Sequence, residues 1–160
     1  MLPNAWRPIA LLSTVGKVIE AVTAEQIRRI AEEHNMLPAY QMGAREKRST
    51  ETALDLLVNQ VQTVWQTKGN VASLLSLDIT GAFDRVVRKR LWHVLRAKGI
   101  PEELAAWVET FMTDRSTTLV LSDWETEEFP ISAGIPQGSP LSPILFLFYT
   151  AELLDLCNNL

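Results

Sequence analysis

Residues 74–86 read LLSLDITGAFDRV, an apolar run that ends on a single carboxylate, Asp78, and passes at once into a small-residue turn. Extended back to Val71, the run is short, apolar and bounded by turn residues on both sides, which predicts a mostly buried strand over 71–78. A carboxylate at a strand end beside such a turn can reach into a cleft, and Mg²⁺ favours hard oxygen ligands of this kind. Ile79, next in the chain, can add its backbone carbonyl to the same ion. The same aspartate can equally cap the turn or helix behind it. These residues alone leave both readings open.

Upstream of this run, Val15, Val18, Ile19, Val22, Ile27, Ile30 and Ala31 recur at helical spacing over 14–34, with Asn35-Met36-Leu37-Pro38 as the stop. A polar, basic loop, YQMGAREKRST (40–50), precedes a second helical pattern carried by Ala53, Leu54, Leu57, Val58, Val61, Val64 and Trp65. Ser49 or Thr50 can cap it, and Lys68-Gly69-Asn70 breaks it. Downstream, a third helix is expected from about Arg85 to Lys98, ended by Gly99. Pro101-Glu102-Glu103 opens a fourth, with proline in the first turn and acids at the positive helix end. STTLVLS (116–122) and ETEEFPIS (125–132) flank Asp123-Trp124 as a hairpin, and ILFLFYTAELLDL (144–156) is a final helix. This order is mixed α+β rather than a regular βαβ repeat.

SAGIPQGSPLSP (132–143) is the second informative stretch. Gly134 and Gly138 permit close backbone approach, while Pro136 and Pro140 stiffen the turn around Gln137. Such a backbone can lie against a flat ligand, and it can also be an ordinary helix-entry loop with Pro140 and Pro143 in the first turn.

At 160 residues, 47% apolar and 21% charged, the chain fits one folded domain. A lone Cys157 excludes an internal disulfide framework and a thiolate zinc cluster. No stretch approaches the roughly 20 uninterrupted apolar residues of a membrane helix. The net charge of −4 gives no global attraction to polyanions, so nucleic-acid contact has to come from local basic patches. Arg45, Lys47 and Arg48 form one such patch in the loop. Arg85, Arg88, Lys89, Arg90, Arg96 and Lys98 gather along the third helix, where a solvated charged face is the expectation. Trp65, Trp92 and Trp107 fall in helical patterns and read as core.

Residues 74–86 resemble motif A of the reverse transcriptases, and AGIPQGSPLSPILF (133–146) resembles their motif B. WRPIALLSTVGKVIE (6–20) and QMGAREKRSTETAL (41–54) look like fingers segments of the non-LTR retrotransposon and group II intron branch, with the closer likeness to LINE-type elements. The four motifs stand in the family's order and span nearly the whole chain.

The resemblance implies the fingers and part of the palm of a right-hand polymerase, fingers-like over 1–70 and palm over 71–160. It implies RNA-directed DNA synthesis with two Mg²⁺ ions, acting on an RNA template, a DNA primer and dNTPs. Asp78 matches the aspartate that binds both ions, and Ile79 matches the position whose carbonyl helps hold one of them. Phe83 matches the bulky residue under the incoming sugar, where a ring would crowd a ribose 2′-OH. Gln137 and Gly138 match residues that pack against the nucleotide and template, and Arg7 resembles the arginine that meets the triphosphate. Arg45, Lys47 and Arg48 are the expected template contacts. Asp84 matches a non-catalytic place and is read as the cap of the helix from Arg85 onward.

The family's motif C, an aromatic-x-Asp-Asp hairpin, has no counterpart, since the chain contains no Asp-Asp pair. The expectation is therefore a chain truncated before motif C and the thumb, and inactive or nearly so by itself. A gene fragment, a decayed element and an incomplete gene model all fit this, as do endonuclease or RNase H domains elsewhere in the parent and nuclear action if the element is LINE-type. Two other readings are a non-catalytic nucleic-acid-binding remnant that uses the basic loop, and a strand-end aspartate acting as a phosphoacceptor. The last needs a βαβ sheet, which the helix-rich order disfavours.

Overall fold

The computed structural model describes residues 9–122 and 124–158. Along these residues run α1 (Thr14–Glu33), α2 (Thr50–Gln66), α3 (Arg88–Ala97), α4 (Glu102–Met112), four two-residue strands, and α5 (Ser142–Asn158). The strands are β1 (Ser116–Thr117), β2 (Val120–Leu121), β3 (Trp124–Glu125) and β4 (Phe129–Pro130). The class is mixed helix with small antiparallel strands.

α1 and α2 begin where side-chain oxygens satisfy first-turn donors. Ser13 Oγ accepts from Gly16 N at 3.0 Å, and Ser49 Oγ accepts from Thr52 N at 3.1 Å. The core is then built around α5, whose Ile144, Leu145, Leu147, Phe148 and Ala151 are all buried. An apolar surface this wide needs neighbours on more than one side. α3 supplies Leu91, Val94 and Leu95, α4 supplies Ala105, Val108 and Met112, and α1 supplies Ala24, Ile27 and Ala31 to one continuous cluster. That cluster joins residues on both sides of position 70. The expected hairpin forms as a nested ladder, with Ser116 opposite Pro130 and Thr117 opposite Phe129, then Val120 opposite Glu125 and Leu121 opposite Trp124.

Several expectations are corrected. Residues 71–78 form no strand, and every residue from 71 to 80 is exposed, Val71 at 85% and Leu75 at 80%. A strand is held by the ladder on its flanks, and no described segment pairs with this one. In α1 the face carrying Val15, Val18, Ile19 and Val22 is exposed, because α5 meets the face of Glu20, Thr23, Ala24, Ile27 and Ala31 instead. α2 keeps its helical period but buries no residue, so Trp65 is exposed rather than core. Trp92 lies under the Arg96 guanidinium at 4.8 Å, and Trp107 stacks on Phe111 at 5.4 Å, both half-buried. α3 starts at Arg88 with Val87 before it and no side-chain cap. Asp84 is exposed in a turn closed by Arg85 N donating to Gly81 O at 3.0 Å, and it does not cap the helix.

The basic face of α3 is not simply solvated. Arg90 pairs with Glu152 and Lys98 with Asp155, both on α5, while Arg96 pairs with Glu102 of α4. Such exposed pairs contribute about 0–1 kcal/mol each, and their larger effect is to fix the orientation of α3.

Burial sorts the leucines of this chain sharply. Leu95→Ala, at a fully buried position, is expected to lower unfolding free energy by about 2–5 kcal/mol in urea titrations. Leu75→Ala is expected to change it by about 0.5 kcal/mol or less. A Leu75→Ala loss comparable to that of Leu95→Ala would mean that residues 71–80 are packed in solution.

Candidate functional site

The turn after Asp78 and the loop before α5 are brought side by side although about fifty residues separate them. Ile135 N donates to Phe83 O at 2.9 Å, and Gly134 N donates to Val86 O at 2.9 Å. The approach is close enough that a Cβ on Gly134 would lie 2.9 Å from Asp84 O and 3.0 Å from Asp84 Cα, and Gly134 also holds φ at +83°. Glycine is therefore required twice over, for space and for the left-handed backbone. Arg88 completes the junction from α3, donating through Nε to Gly134 O and through Nη2 to Ala133 O, each at 3.2 Å. Burial holds the Arg88 guanidinium below its ordinary pKa, and the like charge of Arg115 adds to this.

Beyond the junction, Gln137 O accepts from Ala10 N at 2.8 Å, which lays the extended segment before α1 along the loop. Gly138, at φ +99°, is exposed, and a Cβ there would meet Ala10 O and Ile9 Cγ2 at 3.3 Å. Ser142 Oγ donates to Pro136 O at 2.7 Å and ties the loop to the first turn of α5. Phe83 is half-buried with its ring 5.3 Å from that of Phe146 on α5. Its backbone thus serves the junction while its ring rests on the core.

Asp78 lies on the exposed run just before this junction and has no hydrogen bond or ion pair among the described residues. Ile79 follows it at the rim of a cleft of about 330 Å³, lined also by Arg85, Arg90, Phe146, Tyr149 and Leu153. Among the described residues no three His, Cys, Asp or Glu side chains gather as a metal-binding group. One carboxylate and one carbonyl fall well short of the six oxygens of an octahedral Mg²⁺ shell, so these donors by themselves do not fit a firmly held ion. Arg7 lies outside the described residues.

The basic loop divides by role. Arg45 is buried and its guanidinium grips Glu32 of α1 with both arms, Nε to Oε1 at 2.7 Å and Nη2 to Oε2 at 2.6 Å, while Nη1 donates to Pro38 O at 2.8 Å. Beside it Gln41, also buried, donates through Nε2 to Leu147 O at 3.0 Å and to Thr150 Oγ1 at 3.2 Å on α5. Two side chains of the loop are therefore committed to holding it on the core. Lys47 is exposed, and Arg48 is half-buried with one donor on Ala39 O. Polarity made all of these look like surface residues. The available clue was that Arg45 and Gln41 lie four apart in a loop with Pro38 before it, and that clue does not name α1 and α5 as their acceptors.

Residues 3–160 match the family described as reverse transcriptase (RNA-dependent DNA polymerase). The chain is 32% identical over 155 residues to the probable RNA-directed DNA polymerase from transposon X-element of Drosophila melanogaster, covering 94% of this chain and 16% of that protein. It is 29% identical over 154 residues to the RNA-directed DNA polymerase from mobile element jockey of the same species, again 94% of this chain and 16% of the relative. Against the retrovirus-related Pol polyprotein from type-1 retrotransposable element R2 of Popillia japonica, identity is 28% over 153 residues, 95% of this chain and 21% of that protein. The chain thus spans a small part of the length of these relatives.

Two outcomes follow from this geometry. Gly134→Ala is expected to destabilise the fold by more than the roughly 1–2 kcal/mol of a left-handed alanine, because the added methyl meets backbone rather than a movable side chain. A urea midpoint unchanged from wild type would contradict the close approach. The hydrogen bonds and charge of Arg45 hold the Glu32 carboxyl below its ordinary pKa of 4.5, outweighing desolvation. A depressed carboxylate stabilises the fold fully above the unfolded pKa and loses that contribution as pH falls through the lower folded value. Between neutral pH and acid below 4.5, Glu32→Gln should therefore lose less stability than wild type, as followed by thermal melts. Parallel pH curves for the two proteins would count against the pairing.

Proposed function

The chain belongs to the reverse transcriptase family, and on that premise we propose that it is the fingers and first palm portion of a retrotransposon RNA-directed DNA polymerase. Residues 1–70 are the fingers-like part and 71–160 the palm, with a core continuous between them. The observation that carries this is the junction of the 80–86 turn with the 133–139 loop, two segments joined by paired backbone hydrogen bonds and a glycine contact.

In this proposal the chain contributes shape and positioning to nucleotidyl transfer. Phe83, braced on Phe146, fixes the floor on which an incoming sugar rests, and a braced ring excludes a 2′-OH better than a mobile one. Gly138 offers an exposed backbone without side-chain bulk to a flat base pair, beside the half-buried Gln137. Lys47 and Arg48 meet the template backbone, while Arg45 acts from inside by holding their loop on α1. Arg7 is the proposed arginine for the triphosphate. Mg²⁺, the ion this reading calls for, would supply neutralisation of charge building on the transferred phosphoryl group. Asp78 and Ile79 would be this chain's ligands toward it, too few to hold it alone. Template RNA, DNA primer and dNTPs are the proposed partners.

A non-catalytic nucleic-acid-binding role is the second reading, favoured by the exposed, unpaired state of Asp78. Binding and chemistry separate the two. The 160-residue chain is expected to bind an RNA·DNA primer–template with affinity that falls steeply with salt. Lys47→Ala should weaken it across sequences, and Asp78→Ala should leave it unchanged. No primer extension with Mg²⁺ is expected from this chain alone. In a longer parent chain Asp78→Asn should abolish synthesis, and Phe83→Val should raise rNTP incorporation. Robust synthesis by the Asp78→Asn parent would remove Asp78 from the chemistry, and salt-independent binding would overturn the template contacts.

A further inference from the structure

Glu20 is the only buried carboxylate among the described residues, 2% exposed on the face of α1 that meets the core. Its partner lies 119 residues away, where the buried hydroxyl of Ser139 donates to Glu20 Oε2. The same Ser139 oxygen accepts from Leu141 N at 3.1 Å. A hydroxyl has one proton, and a carboxylate can only accept. The proton of Ser139 is therefore directed at Glu20, and its lone pairs are left for the Leu141 N–H, a donor at the entry to α5.

Along the loop from Gly134 to Pro140, backbone stiffness comes from the prolines and freedom from the glycines. Ser139 stands between Gly138, at φ +99°, and Pro140, and its side chain is anchored from another element. Burial holds the half-buried Arg115 guanidinium below its ordinary pKa, and Glu20 works against that shift. Arg115 itself lies 5.0 Å over the Phe111 ring. The carboxylate is thus enclosed and aimed at a single hydroxyl.

We propose that Glu20 is a positioning residue for the Gln137–Gly138 loop, setting through Ser139 the conformation in which that loop meets nucleic acid. The proposal rests on the reading of this loop as a nucleotide- and template-contacting surface. It gives α1 a role that does not involve touching the ligand.

The test has two arms. In the first, amide hydrogen exchange of the 160-residue chain is followed at Leu141. Glu20→Ala and Ser139→Ala should each raise its exchange about tenfold, as loss of a charge-assisted hydrogen bond implies. The double variant should go no further, and Glu20→Gln, which keeps an acceptor, should restore protection. Unchanged exchange in Glu20→Ala, or additive effects in the double variant, would overturn the proposal. In the second arm, binding of an RNA·DNA primer–template is compared with that of Ala24→Gly, a buried α1 variant outside the loop contacts. Glu20→Ala should weaken binding several-fold beyond Ala24→Gly at matched stability, with Glu20→Gln restored. Equal weakening in Glu20→Ala and Ala24→Gly would show a merely structural role and overturn the proposal. If the wild-type chain binds no primer–template while the exchange coupling holds, the functional reading fails, and the control of the loop by Glu20 is decided by exchange alone.

Discussion

The close approach of Gly134 to the backbone of Asp84 governs how the rest of this chain is arranged. No larger residue lets the two segments meet, and only at that distance do the amides of Gly134 and Ile135 reach the carbonyls of Val86 and Phe83. Once joined, the turn leads into α3 and the loop into α5, so the junction lies between the starts of two helices that share one core. The cations of α3 then find acids on α5 and α4. The charge pattern is a consequence of the junction rather than its cause, since exposed pairs of this kind add little energy.

The same dependence explains the exposed run before the junction. Residues 71–79 carry the composition of a buried strand, yet hydrophobicity alone does not make one. Backbone donors and acceptors need a neighbour on at least one flank, and among the described residues none is offered. Leu74, Leu75 and Leu77 accordingly stand in solvent. The apolar faces of α2 and of the first half of α1 share that condition. Their sequence records surfaces made for contact, and periodicity cannot say whether the contact lies within the chain.

This is also where the reading of the sequence succeeded and where it stopped. Local signals carried well: Ser49 capped α2 as expected, Pro101 preceded α4, and the hairpin strands fell close to the expected segments, while the Ser13 cap of α1 went unread. The family was legible because its motifs depend on residue identity and order. Facts that depend on a distant partner did not carry. Asp84 has the chemistry of a cap but sits in a turn that the Gly134 loop has claimed. Arg45 has the look of a surface cation but is enclosed by Glu32 and two carbonyls. Glu20 read as one more charge between apolar positions, although it shares a face with Ala24, Ile27 and Ala31, and an acid on that face has to find a donor inside.

These enclosed polar groups bear on how a chain with net charge −4 can present itself to a polyanion. Of the cations that look available in the sequence, Arg45, Arg88, Arg90, Arg96 and Lys98 are engaged by acids or carbonyls of the fold. Lys47 stays exposed and Arg48 half-buried with one donor on Ala39 O, in a loop that Arg45 and Gln41 tie to α1 and α5.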